Sequence, residues 1–97
     1  MRLQELIREE LNFMLRSEVR DPRLDGVEIT MVELSTDGAR ARVWFTTENE
    51  RATLDALDGA TGLLRSDLAS SLGLKRTPDL RFRRDQATRV FGTKESW

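Results

Sequence analysis

The chain has 97 residues, a formal net charge of −1, and 38% hydrophobic and 34% charged residues. That length builds one domain with a two-layer core and leaves no room for a catalytic cleft between domains. With no cysteine and no histidine, disulfides, a thiolate nucleophile, cysteine-bound zinc and the commonest general base are all excluded, so neither an enzyme nor a metal or cofactor site is expected.

No apolar run approaches the length that spans a bilayer, and Met1-Arg2-Leu3-Gln4-Glu5 does not open a signal peptide. A cytoplasmic protein is expected. Residues 2–19, RLQELIREELNFMLRSEV, form an amphipathic helix. Leu3, Leu6 or Ile7, Leu11, Met14 or Leu15, and Val19 recur at three-to-four spacing. Residues 20–26, RDPRLDG, are a connector, because Asp21-Pro22 biases the chain out of helix and Asp25-Gly26 is turn chemistry.

Residues 27–35, VEITMVELS, predict a strand. Val27, Ile29 and Met31 alternate with Glu28 and Thr30, and then Val32 and Leu34 take the opposite parity, which implies a bulge. Thr36-Asp37-Gly38 is a hairpin turn. Residues 39–47, ARARVWFTT, predict a second strand with Ala39, Ala41, Val43 and Phe45 inward. Arg40, Arg42, Trp44 and Thr46 lie outward. Trp44 offers a plane for base stacking, although such a residue is more often a partly buried anchor at a sheet edge.

Residues 54–74, LDALDGATGLLRSDLASSLGL, read as two helices joined by a bend at Gly59-Ala60-Thr61-Gly62. Two glycines inside a helix each cost about 1 kcal/mol relative to alanine. A bend would free backbone N–H groups at the start of the second helix, which with Arg65 one turn on can hold a phosphate; the plainer reading is an ordinary glycine-broken helical hairpin with no ligand. Lys75-Arg76-Thr77-Pro78 ends the helix. Residues 79–85, DLRFRRD, predict a third strand with Leu80 and Phe82 inward. Residues 86–97 form a C-terminal tail without a predicted element. The expected inward set is Leu6, Leu11, Leu15, Ile29, Val43, Phe45, Leu57, Leu64, Leu68, Leu80 and Phe82.

Charge is sorted along the chain. Residues 48–58 hold Glu48, Glu50, Asp55 and Asp58 against Arg51, and residues 75–84 hold Lys75, Arg76, Arg81, Arg83 and Arg84 against Asp79. A basic region on a weakly acidic chain still suits a polyanion. The expected architecture is α+β, with element order α-β-β-α-kink-α-β. It is a three-stranded mixed sheet with three helices on one face and the other face open and charged.

This order resembles a type II KH domain. Several blocks narrow the resemblance: Arg20-Asp21-Pro22-Arg23-Leu24, Val32-Glu33-Leu34-Ser35 with Asp37, Ala41-Arg42-Val43-Trp44-Phe45, Ala60-Thr61-Gly62, Leu64-Arg65-Ser66, and Pro78-Asp79-Leu80-Arg81-Phe82 with Asp85. Together they resemble ribosome-binding factor A over roughly residues 3–85. The resemblance implies a KH-like RNA-binding domain over residues 1–85. It implies a non-enzymatic factor that binds the immature small ribosomal subunit and assists late maturation of its rRNA, including processing of the 5′ end, most importantly in the cold. In that family the Gly-x-x-Gly loop of KH domains is replaced by an Ala-x-Gly kink, which Ala60-Thr61-Gly62 matches. Gly59 stands in front, so the stretch also reads Gly-x-x-Gly.

The RNA-binding residues expected are Arg65, Lys75 and Arg76 beside the kink, Arg81, Arg83 and Arg84 near them, and Arg20 and Arg23 as secondary contacts. The partners expected are the small subunit and its rRNA, with no membrane, small-molecule substrate, metal or cofactor, and the protein is expected to be a monomer. The competing reading is a protein–protein module that uses the open sheet face or the first helix without RNA.

Overall fold

The computed structural model of the chain describes residues 2–86. The tail expected over residues 86–97 falls outside that range except for Gln86. Helix α1 (Leu3–Ser17) buries Ile7, Leu11, Met14 and Leu15. Leu6, expected inside, is 37% exposed, and Ile7 takes its place with 0% exposure. Helical geometry explains the exchange. Positions 7, 11, 14 and 15 fall on one line at spacings of four and three, whereas position 6 lies about 100° away from Ile7 around the axis. Phe13 is also exposed, on the flank of the stripe.

A short 3₁₀ turn (Pro22–Leu24) leads into strand β1 (Glu28–Leu34), and a hairpin connects it to β2 (Arg40–Thr46). Asp37 builds that hairpin: its Oδ1 accepts from the Ser35 hydroxyl at 2.8 Å and the Ala39 N–H at 3.0 Å, while Gly38 takes φ 72°. Helix α2 (Glu50–Leu72) then crosses to strand β3 (Asp79–Arg84). The sheet order is β1-β2-β3, with β1 and β2 antiparallel and β2 and β3 parallel. This is the mixed three-stranded sheet that the sequence predicts.

The bulge is present, one step earlier than the hydropathy placed it. Ile29 pairs with Phe45 and Met31 with Trp44, so Thr30 is the extra residue. Ile29 and Val32 are buried, and Met31, expected beside Ile29, sits on the outer face opposite Trp44. From β2, Ala41, Val43 and Phe45 are buried. Leu80 and Phe82 of β3 are half-buried against the same core.

Helix α2 corrects the expectation of two helices. It runs without interruption through Gly59 and Gly62, so among the described residues two helices and a turn, not three helices, accompany the sheet. Two interior glycines cost about 2 kcal/mol together. Two apolar residues on each side of them, Ala56 and Leu57 before and Leu64 and Leu68 after, are buried, and each buried leucine contributes about 1.5–3 kcal/mol. Keeping both halves in one line on the sheet outweighs the glycine cost. Asn49 caps the start, its side chain accepting from Ala52 N at 3.1 Å. Gly73 ends the helix at φ 64°, the left-handed conformation that favours glycine.

Polar side chains of α1 take up part of the outer edge of β1. Asn12 is buried; its Nδ2 donates to Ile29 O at 2.9 Å and its Oδ1 accepts from Ile29 N at 2.8 Å. Gln4 Oε1 accepts from Leu34 N at 2.8 Å. A third polar contact joins α1 to α2. The Ser71 hydroxyl donates to Asp67 Oδ1 at 3.2 Å, while the other carboxylate oxygen of Asp67 is enclosed without a partner. Glu10 of α1 lies beside this carboxylate. Its hydrogen bond to Asp67, and then desolvation, raise the Glu10 carboxyl above its usual range.

Two predictions follow from these contacts. Asn12→Ala leaves the Ile29 N–H and C=O unpaired in the interior, at about 1–3 kcal/mol each, so the stability measured by denaturant should fall by roughly 2–6 kcal/mol. Glu10 has a raised folded pKa, so its contribution is fully present below its unfolded value of 4.5 and is lost as pH rises through the folded value. Glu10→Gln should therefore raise the melting temperature at neutral pH and leave it nearly unchanged in acid, as a thermal-denaturation pH series will show.

Candidate nucleic-acid interface

The expected RNA contacts fall at three places on this fold. Arg65, Lys75 and Arg76 stand where α2 ends and β3 begins. Arg81 and Arg83 project from the outer sheet face. Arg20, Arg23 and Arg84 lie at the opposite end, near the start of α2.

Arg65 is tied into the chain. Its Nε donates to Pro78 O at 3.1 Å and its Nη2 to Thr77 O at 2.9 Å. The same Nη2 lies 3.5 Å from Asp79 Oδ1. These contacts hold the segment that delivers β3 to β2, where Asp79 N donates to Ala39 O at 2.9 Å. Arg65 therefore positions the third strand. Lys75 and Arg76 follow the Gly73 cap and are exposed, with no ion pair among the described residues. Across a short gap lies the hairpin. There the Ala39 N–H and the Ser35 hydroxyl, with Arg40 and Arg76 nearby, hold the Asp37 carboxyl below the usual carboxylate range. Arg40 and Arg76 thus share one corner of the molecule.

On the outer face, Arg42 stands beside Arg81 and Trp44 beside Arg83. This face is less open than the sequence suggests. Arg42 is 8% exposed, and its Nη1 lies 3.8 Å from Glu33 Oε1. The same oxygen accepts from Trp44 Nε1 at 2.6 Å. Cross-strand pairing with Glu33 turns two expected surface groups into parts of the sheet. Arg81 and Arg83 remain exposed.

At the far end, Arg23 closes its fork on Asp21, with Nε 3.1 and 3.2 Å from the two carboxylate oxygens and Nη2 2.7 Å from Oδ2. That bond holds Asp21 below its usual range. Arg84 donates to Thr47 O at 3.3 Å, and its Nη1 is 3.7 Å from Glu50. Arg20 is exposed.

Gly59, Ala60, Thr61 and Gly62 do not open a second helix N-terminus. The uninterrupted ladder of α2 takes up the N–H groups expected to be free, and the Thr61 hydroxyl donates to Leu57 O at 2.9 Å. A phosphate cradle built on free N–H groups has no place there. The cations Lys75 and Arg76 stand at the C-terminal end of α2, so the helix dipole does not add to their positive field. A Cβ added at Gly59 or Gly62 meets nothing within 4 Å, so the two glycines leave a smooth strip on an exposed helix surface.

The structural contacts of Asn12 and Gln4 carry no local signal in the sequence, since both partners lie on β1. Arg40 joined the basic corner through the hairpin geometry alone.

Residues 1–91 match the family model of ribosome-binding factor A. The chain belongs to that family. Ribosome-binding factor A of Pediococcus pentosaceus is 37% identical over 96% of this chain and 84% of that protein. The Ruthia magnifica relative is 43% identical over 90% and 80%. Among solved structures, the Thermus thermophilus family member superposes with a TM-score of 0.82 at 28% identity, covering 90% of this chain and 96% of that one. A second set of coordinates for that protein, fitted into a cryo-EM map of its complex with the 30S subunit, gives 0.77 at 28% identity, covering 91% of this chain and 97% of that one. A Thermotoga maritima protein solved by NMR gives 0.75 at 31% identity, covering 96% and 91%. The KH-like fold expected from the sequence is the fold of the family.

Both glycines have helical backbone and open space for a methyl group. Gly59→Ala and Gly62→Ala should each therefore raise stability by up to about 1 kcal/mol, measured by equilibrium denaturation.

Proposed function

We propose that this chain is an assembly factor of the small ribosomal subunit. It binds the immature particle through rRNA and assists late maturation, including processing of the 5′ end, in the cytoplasm and without catalysing a reaction itself. Family membership along nearly the whole chain supports the particle. So does the 30S complex of the Thermus thermophilus relative. The observation that carries the RNA contact is the position of four of the exposed cations without an ion pair among the described residues: Lys75 and Arg76 at the basic corner, Arg81 and Arg83 along β3. These four are the primary phosphate contacts, and Arg20 is a secondary one. Arg23, Arg65 and Arg84 serve the fold first and contribute positive field where they stand. The smooth strip at Gly59–Gly62 lets a partner backbone approach α2.

The experiment compares Lys75→Ala/Arg76→Ala with Arg81→Ala/Arg83→Ala for binding to immature small subunits across a salt series. Loss of each phosphate contact should flatten the dependence of log affinity on log salt by about 0.7–0.9. The first pair is expected to lose more. If neither pair changes affinity or slope, RNA binding through these charges is refuted, and binding that survives nuclease would support a protein–protein module instead. Gly62→Ala adds a separate readout: a variant that is more stable yet binds subunits more weakly places docking on the α2 strip.

A further inference from the structure

The hairpin between β1 and β2 carries a carboxylate that the turn only half uses. Asp37 Oδ1 accepts from the Ser35 hydroxyl at 2.8 Å and the Ala39 N–H at 3.0 Å, and Ser35 Oγ in turn accepts from Arg40 N at 3.0 Å. These bonds hold the carboxylate in place, and a carboxamide oxygen at the same position could make them. The second oxygen, Oδ2, has no hydrogen bond or ion pair among the described residues, and the residue is exposed.

Cations surround that oxygen without closing on it. Strand β3 starts beside the hairpin, since Arg40 is in register with Asp79 and Asp79 N donates to Ala39 O at 2.9 Å. Lys75 and Arg76 stand a few residues upstream, on the loop that brings β3 there. Arg40 and Arg76 are near enough to help keep the Asp37 carboxyl ionised, yet neither forms an ion pair with it among the described residues. The other carboxylate of this corner, Asp79, lies 3.5 Å from Arg65. Asp37 is thus a fixed anion whose outer oxygen the fold leaves open among cations that it also leaves open.

A carboxylate set among phosphate contacts repels a polyanion unless it receives a hydrogen-bond donor. Unpaired RNA bases carry such donors on their Watson–Crick edges. Guanine alone places two side by side, N1–H and the N2 amine, next to an acceptor, O6. Adenine and cytosine offer one amine beside a ring-nitrogen acceptor. Uracil sets its single N–H between two carbonyls, which a carboxylate repels. We propose, resting on the reading that this corner binds RNA, that Asp37 makes it selective for an unpaired guanine. Oδ2 accepts from N1 and N2, one of Arg40 and Arg76 donates to O6, and the remaining cations hold the flanking phosphates. Phosphate contacts give this site its affinity, and Asp37 gives it a preferred base.

The test titrates the full chain at low salt with a short fluorescein-labelled oligouridylate and with versions carrying one central guanosine, inosine or 7-deazaguanosine. Fluorescence anisotropy reads the affinity. The guanosine oligomer should bind about ten-fold tighter than the uridine one. Inosine, which lacks the N2 amine, should bind about three-fold more weakly than guanosine. The 7-deaza base, which keeps the Watson–Crick edge, should match guanosine. Asp37→Asn keeps an acceptor for Ser35 and Ala39, so its melting temperature should hold. It should bind the guanosine and uridine oligomers alike, with uridine affinity raised because a negative charge has left. Equal affinity of the unaltered chain for guanosine and uridine overturns the proposal while leaving RNA binding intact. So does a preference that survives in Asp37→Asn, or one that is lost with 7-deazaguanosine, which would place the contact on the N7 edge. The inosine and 7-deaza comparisons use the unaltered chain and decide the matter even if the variant folds poorly. No binding of any oligomer at low salt overturns the RNA reading and this proposal with it.

Discussion

The Asn12 carboxamide, bonded to both backbone groups of Ile29, is the contact on which the rest of the structure depends. It sits where β1 departs from regular pairing, and it supplies a donor and an acceptor in the arrangement of a peptide group. The bulge at Thr30 then shifts the parity of the strand, so that Ile29 and Val32 both face the core. Without a partner at Ile29 the bulge would leave two enclosed backbone groups bare, and regular pairing would turn Val32 to the outside. One side chain from α1 therefore fixes the register of β1 and the seat of α1 together.

Arg65 plays the corresponding part on the other side of the sheet. Parallel pairing of β3 requires the chain to return the full length of α2 and enter the sheet at a defined point. The guanidinium of Arg65, bonded to Thr77 O and Pro78 O, defines that point. The basic residues of this chain thus divide by task. Arg23, Arg42, Arg65 and Arg84 hold carboxylates or carbonyls of the chain itself, and the exposed remainder carries the field that a polyanion meets. A net charge near zero conceals this division, because one set of arginines is paired with carboxylates of the chain and the other, among the described residues, is not.

Much of this was legible in the sequence. Period-two and three-to-four patterns placed α1, all three strands and the bulge, since burial of one face writes itself into hydropathy. The β3 inward pair, Leu80 and Phe82, was also readable. What escaped depended on contacts between distant residues. Nothing local distinguishes Arg65, which meets a turn twelve and thirteen residues away, from a surface arginine. Nothing local marks Arg42 as enclosed, because its burial rests on a neighbouring strand. The break at Gly59–Gly62 was over-read for the opposite reason. Local propensity argued for it, and tertiary packing of Leu57, Leu64 and Leu68 overrode it. The Glu10–Asp67 carboxyl pair likewise arises only when α1 lies against α2.

The unequal edges of the sheet also govern how copies of this protein can stick together. A sheet grows without limit only if every added unit presents a fresh edge, and here α1 occupies outward groups of Ile29 and Leu34 on the β1 side. Among the described residues β3 is the barer edge, and two copies joined there would leave outward their β1 edges, where Asn12 and Gln4 of α1 already hold Ile29 and the Leu34 N–H. Edge-to-edge association of this kind favours a two-fold dimer over a fibre while α1 stays on the sheet.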